Sequence, residues 1–383
     1  MTPDRDAIRA EVEAMASQVR EGAAEGERAS ARRLAERLRE AGAAEVAVEP
    51  FRYQGTYAHA HALHAAAGLL AARLGGLRGA LLAGAALASL ELEASGRLQW
   101  VRRLLPADEG ANVVARLPAR GERRSTLVLV AHHDAARTGL VWHHAIAEAG
   151  AARRLRTRRI DGFMLPTAAG LALCATPWRP LRAAGAALCA LSIAADLDVA
   201  RGATVPGASD NATGVAVVVD LVRALGADPP DGLETIAVLP GCEESGMGGM
   251  AAFLRAHGRS LNRPGTLVLG LDTLGAGTPI VAAAEGTILT HRYAGEDLAL
   301  ADRGAARAGA PAPQRWRIGG WTDPVLARFA GLHAISLLSI GPRGTFTNYH
   351  RPTDTADRVD WDSVTACAEI AAGIAAEWAA AGG

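Results

Sequence analysis

Two adjacent glutamates, Glu243 and Glu244, lie between a short apolar run, Thr235-Ile-Ala-Val238, and a glycine-rich turn, Gly246-Met-Gly-Gly249. Such a run reads as a buried strand, and neighbouring side chains at a strand end point to different sides. One carboxylate can then bind a cation while its neighbour faces whatever that cation activates. Four other stretches carry matching side chains. His132 and Asp134 follow Leu127-Val-Leu-Val-Ala131, and Asp210 lies in Gly207-Ala-Ser-Asp-Asn-Ala-Thr-Gly214. Asp272 follows Leu267-Val-Leu-Gly-Leu271, and His350 lies in Asn348-Tyr-His-Arg-Pro-Thr-Asp-Thr355. Zinc takes imidazole and carboxylate ligands, and a catalytic site leaves one position open for water. Two zinc ions about 3.5–4 Å apart clamp a hydroxide and a carbonyl oxygen together. Such a pair needs a bridging carboxylate, terminal carboxylate and imidazole ligands, and a free carboxylate to take a proton from water. The chain holds that inventory. Singly, each group has an ordinary explanation: Asp210 as a helix cap, Asp272 as a loop acid, His350 as a surface histidine, the glutamates as a solvated turn. Their joint placement after apolar runs is what singles them out.

The elements that must position these groups read as follows. Asp4 to Ala41 is one or two amphipathic helices, and Glu45 to Phe51 alternates as a strand. Gly110 to Leu117 and Ser125 to Ala131 read as neighbouring strands. From Gly207 onward strands at Thr235, Thr266 and His333 alternate with helices at Gly214, Met247 and Trp361. This alternation predicts an α/β fold, a mostly parallel mixed sheet flanked by helices, with ligands gathered at the carboxyl ends of its strands. One domain over residues 1–383 is expected, with two insertions.

The first insertion, 58–98, reads as an apolar helical hairpin turning at Arg73-Leu-Gly-Gly-Leu-Arg78. The second, 137–203, opens with the basic run Arg153 to Arg159 and continues as two apolar segments, Gly162 to Trp178 and Ala183 to Ala195. The uncharged runs are shorter than the roughly 20 residues of a spanning helix, and Pro166 and Pro177 interrupt one of them. Two readings stay open: a soluble cap over the site, or a pair of hairpins attached to a membrane. The arginine run favours the cytoplasmic side in the second case. His59, His61 and His64, at spacings of two and three, do not share one helix face; they and the pair His143 and His144 read as structural.

Formal net charge is zero, which gives no electrostatic case for nucleic acid. All forty basic residues are arginine, which excludes lysine Schiff bases, lysine nucleophiles and a phosphate-binding loop that needs lysine. Cys174, Cys189, Cys242 and Cys367 form no C-x-x-C pair, so neither a disulfide scaffold nor a thiolate zinc ribbon is expected. No signal peptide is read at the amino terminus, and a cytoplasmic location is expected, with or without attachment to the cytoplasmic membrane. Oligomeric state is not legible.

The ordered set H-x-D, G-A-S-D-N-A-T-G, E-E-S-G, L-D-T-L-G and Y-H-R-P-T-D-T resembles the two-zinc aminopeptidases of metallopeptidase clan MH. That group includes bacterial leucyl aminopeptidases, carboxypeptidase Q-like enzymes and the related glutaminyl cyclases, and the resemblance runs from Asn112 to about Val359. It implies a zinc-exopeptidase, phosphorylase/hydrolase-like fold and a metallo-aminopeptidase acting on peptide substrates with two Zn2+ ions. It also implies residue roles. His132 and Asp272 would hold one zinc, Glu244 and His350 the other, and Asp210 would bridge them. Glu243 would be the general base, and Asp134 a carboxylate behind the ligands that fixes their geometry. His133 is left as structural. The chain departs from the pattern at Cys242, where a small residue is usual and a buried thiol is expected. It departs at Pro324, which follows Gly319-Gly-Trp-Thr-Asp323 where histidine is common, and in its two insertions. The alternatives are a glutaminyl cyclase-like acyltransferase and a membrane-attached, non-catalytic scaffold of the same fold.

Overall fold

Residues 2–382 are described by the structure, a computed structural model; Met1 and Gly383, the two ends of the 1–383 domain read above, lie outside the described residues. The amino-terminal region is two amphipathic helices, α1 (Arg5–Ala16) and α2 (Glu25–Glu40). Asp4 caps the first by accepting from the Ala7 N–H at 3.1 Å. After β1 (Glu45–Tyr53) come α3 (Ala58–Leu74) and α4 (Gly76–Ala94), then β2 (Asp108–Leu117) and β3 (Arg120–Val130). The second insertion holds the short α5 (His144–Glu148) and α6 (Ala151–Thr157), then α7 (Leu165–Cys174) and α8 (Arg179–Arg201). Next are α9 (Thr213–Ala227), β4 (Asp231–Leu239), α10 (Gly248–His257), β5 (Thr266–Leu271), β6 (Thr278–Glu285) and β7 (His291–Arg292). The chain ends with α11 (Gly295–Arg307), β8 (Gln314–Ile318), α12 (Pro324–Phe329), β9 (His333–Ile340) and α13 (Trp361–Ala381).

The sheet runs β1-β2-β4-β3-β5-β9-β6-β7, with β8 beside β6. Its centre, β4-β3-β5-β9, is parallel; β1, β2, β6 and β7 make antiparallel pairs on its flanks. The fold is therefore the mixed α/β arrangement expected. One pairing differs from expectation. β2 and β3 are not neighbours, because β4 lies between them, antiparallel to β2 and parallel to β3. A two-residue connection normally pairs its strands, but here it steps around the start of β4, where Arg120 is in register with Asp231.

All six residues of β5 are buried, as is the run Ser125–Val130 of β3, so both faces of the central strands are covered. Each fully buried leucine there (Leu127, Leu129, Leu267, Leu269) contributes about 1.5–3 kcal/mol. That holds the strand ends rigid. α13, apolar along its length, packs into this core: Cys367, Ala371, Ile374 and Ala375 are fully enclosed. Among the described residues it is one of two helices long and apolar enough to cross a membrane, and its burial marks it as a core helix; the other is α8.

The insertions leave and rejoin the domain at closed necks. Arg137 and Thr204 form an antiparallel bridge, with N–H donation from Thr138 to Ala203 O and from Val205 to Ala136 O, both at 2.9 Å. The residues before and after the first hairpin are joined by the Tyr53 hydroxyl donating to Gln99 Oε1 at 2.8 Å. Seventy or so extra residues can thus be inserted between Asp134 and Asp210 without separating those two side chains.

Candidate metal centre

The carboxyl ends of β3, β4, β5 and β9 bring the chemically marked residues together. Asp210 enters from the irregular turn before α9, where the Asp210–Asn211 peptide is cis. Its Oδ1 lies 3.3 Å from His132 Nε2, and its Oδ2 lies 3.3 Å from His350 Nε2. Asp272 Oδ1 stands 4.0 Å from His132 Nε2, and Glu244 Oε2 stands 3.0 Å from His350 Nε2. Two triads result, His132–Asp210–Asp272 and Asp210–Glu244–His350, each with its ligand atoms within 4.8 Å of one another and Asp210 common to both. Glu243 belongs to neither triad, yet its Oε2 approaches His132 Nε2 to 4.0 Å. The two glutamates diverge, but in the turn after β4 and not on the strand, which ends at Leu239: Glu244 turns to His350, Glu243 to His132.

The donor set fits metal ions on chemical grounds. His350 Nε2, Asp210 Oδ2 and Glu244 Oε1 are buried and make no hydrogen bond despite their proximity. Buried polar atoms are normally paired, and converging ligand atoms left without a hydrogen-bond partner are what a cation satisfies. His132 Nδ1 faces the main-chain carbonyl of Asp134 at 3.3 Å, an acceptor only, so Nδ1 carries a proton and Nε2 is the nitrogen turned toward the site. Burial pushes the carboxyl groups upward, Glu243 well above its ordinary value, Glu244 to about 7, Asp272 to about 6 and Asp323 to about 8. Burial works against charge on His350, but Glu244 and Asp210 lift it to about 10. So many buried carboxylates in one volume call for positive charge.

A layer of side chains behind the ligands holds them in place. The Glu243 and Glu244 N–H groups donate to Asp134 Oδ1 and Oδ2, at 3.0 and 3.2 Å. Just before them, the Cys242 N–H donates to Glu27 Oε2 at 2.9 Å and the Gly241 N–H to Asn112 Oδ1 at 3.2 Å. Every main-chain N–H from Gly241 to Glu244 is thus held by a buried side chain. Cys242 is a buried thiol, its Sγ 3.2 Å from Glu27 Oε2, and His133 donates from Nε2 to Ala111 O at 2.9 Å. Asp354 accepts from the Ser209 and Asp210 N–H groups at 2.9 and 3.1 Å. Arg20, fully buried, donates to the carbonyls of His133 and Gly207 and so ties the end of β3 to the Asp210 turn. Asn211 Nδ2 donates to Leu271 O at 2.9 Å, and its Oδ1 accepts from the Thr273 N–H at 3.2 Å, joining Asp210 to the Asp272 loop.

Glu27, Arg20 and Asp354 have no counterpart in the sequence reading. Asp354 stood in the same motif as His350, four residues on, and that proximity was the available signal. Pro324 opens α12 and packs on β5, where a Cβ added to Gly270 would come within 2.2 Å of its Cγ. Its place is the core, not the pocket. Among the described residues, His59, His61, His64, His143 and His144 belong to no group able to hold a metal ion. His61 packs on Tyr57 and Phe163, and His64 lies 2.9 Å from Ser89 Oγ.

The centre opens into a cavity of about 450 Å³. Trp142 and Phe163 from the second insertion, with Tyr57, Trp321, Phe346 and Tyr349, form much of its wall. The Trp142 ring meets His350 edge-on at 4.4 Å, and Tyr349 stacks on the same imidazole at 3.7 Å.

Solved structures share this fold at low sequence identity. A zinc aminopeptidase from Bacillus subtilis is 14% identical, with 97% of this chain and 95% of that one covered and a TM-score of 0.58. A zinc-dependent exopeptidase from Parabacteroides distasonis is 13% identical, with 97% of each chain covered and a TM-score of 0.59. A glutaminyl cyclase from Bacteroides thetaiotaomicron is 14% identical, with 98% of each chain covered and a TM-score of 0.58. No curated protein matches the chain. Residues 184–375, half of the chain, match peptidase family M28; the stretch contains Asp210, Glu243, Glu244, Asp272 and His350, while His132 and Asp134 precede it. The chain belongs to peptidase family M28.

Proposed function

We propose that the protein is a two-zinc aminopeptidase that removes single residues from the amino termini of peptides. The observation that carries this reading is Asp210, whose two carboxylate oxygens face two separate histidines while Glu243 stands beside them outside both triads. His132 and Asp272 would hold one ion and Glu244 and His350 the other, with Asp210 shared. Zinc bound there supplies Lewis acidity, which draws charge from a scissile carbonyl and eases ionisation of water.

The side chains do the rest. Glu243 takes the proton of the attacking water and passes it to the departing amine. Burial favours its protonated form, so proton transfer in both directions is within its range. Asp134 fixes the main chain of both glutamates, so the base and its neighbouring ligand keep their separation. The aromatic wall suits an apolar amino-terminal side chain, and the inserted hairpins close one side of the pocket, which favours a chain end over a continuous chain.

The test is hydrolysis of matched peptides with free and acetylated amino termini by zinc-loaded protein, with Glu243→Gln in parallel. Expected is cleavage of free-terminus peptides only, with kcat lowered at least a thousandfold in the variant while bound zinc is retained. Equal cleavage of blocked peptides refutes the exopeptidase reading. Ammonia release from amino-terminal glutamine without hydrolysis replaces it with a cyclase.

A further inference from the structure

The inserted hairpins have a second end, remote from the site. α3, α4, α7 and α8 pack as a four-helix unit in which small residues permit close approach: a Cβ on Gly185 would lie 2.7 Å from the Gly170 carbonyl. The base of the unit sits over the pocket, with Tyr57 against Phe163 at 5.0 Å and Ala58 and Val199 buried. From Ala58 to Leu74, at 1.5 Å per residue, the helix carries its far end about 24 Å from that base. There the two interhelical turns meet, since a Cβ at Gly75 would lie 3.2 Å from Arg182 Nη2.

Nothing among the described residues covers this end. Leu70, Leu74, Leu77, Leu81 and Trp178 are exposed, Leu77 at 76%, Trp178 at 66% and Leu81 at 65%. Charge is sorted along the unit. Residues 58–90 and 162–195 contain no aspartate or glutamate, and their four arginines (Arg73, Arg78, Arg179, Arg182) all fall at or beside the two turns. The acids Glu91, Glu93, Asp196 and Asp198 lie toward the base. Isolated exposed leucines need no explanation, but an apolar end ringed by arginine and free of acids does.

We infer that this end docks on an anionic lipid bilayer, placing its leucines and Trp178 at the boundary of headgroups and acyl chains while the arginines meet lipid phosphates. Amphipathic surfaces of this kind enter roughly 5–10 Å, about the last one to two turns here. Tryptophan favours that boundary, and arginine lays its stem along apolar surface with its charge at the headgroups. The unit dips into the bilayer and does not cross it. α8 is long and apolar enough to cross, but its hairpin partner α7 has ten residues, about 15 Å, half of a hydrocarbon core of about 30 Å. Docking holds the catalytic domain above the membrane with its pocket at the base of the helical unit.

Flotation of the full chain with vesicles tests this, using mixed phosphatidylglycerol and phosphatidylcholine against phosphatidylcholine alone. Expected is co-flotation with the anionic vesicles, about tenfold weaker with neutral ones and weakened again by salt. Leu77→Glu with Trp178→Glu reduces it at least tenfold, and Arg73→Gln with Arg78→Gln and Arg179→Gln removes the preference for anionic lipid. These positions are exposed and distant from the metal centre, so thermal unfolding and hydrolysis of a soluble peptide remain at parental levels. No flotation, or flotation indifferent to the leucine and tryptophan changes, overturns the proposal. So does self-association abolished by the same changes without lipid binding, which would make a second copy the occupant.

Discussion

Asp134→Asn isolates the scaffold behind the metal centre. Asp134 is fully buried, belongs to neither triad, and accepts one main-chain N–H on each oxygen, from Glu243 at 3.0 Å and from Glu244 at 3.2 Å. Asparagine has nearly the same shape but one acceptor oxygen. Whichever way its amide turns, one N–H of the glutamate pair faces an NH2 group. The variant therefore loses a charge-assisted hydrogen bond, about 1.5–3 kcal/mol, and leaves a buried donor unsatisfied. The loop relieves this by moving Glu243 or Glu244 away from the position it needs, and 1.4 kcal/mol is a factor of ten. Zinc affinity, measured by competition with a chromogenic chelator, should fall about 10–100-fold. kcat on a saturated enzyme should fall as well, because Glu243 shares the displaced segment, while KM for the peptide changes less. Zinc affinity and kcat both within twofold of the parent would refute the reasoning, since they would mean the glutamate pair holds its geometry without Asp134.

Two further outcomes follow from the buried acids. Stripping the protein with a chelator should abolish hydrolysis and lower the unfolding temperature, and restoring zinc should recover both with an endpoint at two equivalents per chain; an endpoint at one would leave a single-metal enzyme. Glu285 lies outside the centre, accepting from the Thr322 N–H at 2.9 Å and from the Tyr293 hydroxyl at 2.8 Å, and burial raises it to about 7. Its folded state binds a proton more tightly than the unfolded chain, so its contribution to stability is complete below about pH 4.5 and declines as pH rises through about 7. Glu285→Gln should flatten that decline, on the order of 3 kcal/mol at most, and an unchanged slope of stability against pH between 4.5 and 7 would show the group to be ionised throughout.

What could be read from sequence divides along a physical line. The ligand types were visible because imidazole and carboxylate are rare at the ends of apolar runs, and the central strands were visible because Leu127 to Ala131 and Leu267 to Leu271 have little else to become. The sheet's far edge was not. β7 has two residues and α12 six, too short for any periodicity, and Pro279 with the alanines of β6 gives a weak strand signal. Pairing was misread for a different reason: β2 and β3 are joined by two residues, and only the late arrival of β4, more than a hundred residues on, separates them.

The supporting layer was hidden by its own composition. α2 carries four glutamates and five arginines, so Glu27 looks like one member of a solvated face. In the folded chain it is fully buried, and both its oxygens are occupied by donors: the Ala111 N–H on Oε1, the Ala23 and Cys242 N–H groups on Oε2. Arg20, outside any helix, is equally enclosed. These two residues come from the first thirty of the chain, before any ligand, yet they fasten the turn that carries Glu243 and Glu244 and the turn that carries Asp210. A charged residue at the surface needs only water, whereas a turn that must present two carboxylates from fixed main-chain positions needs an acceptor for each of its N–H groups. That demand is set by the tertiary fold, so the residues meeting it carry no local mark, and a reading confined to ligand motifs finds the metal centre without finding what makes it rigid.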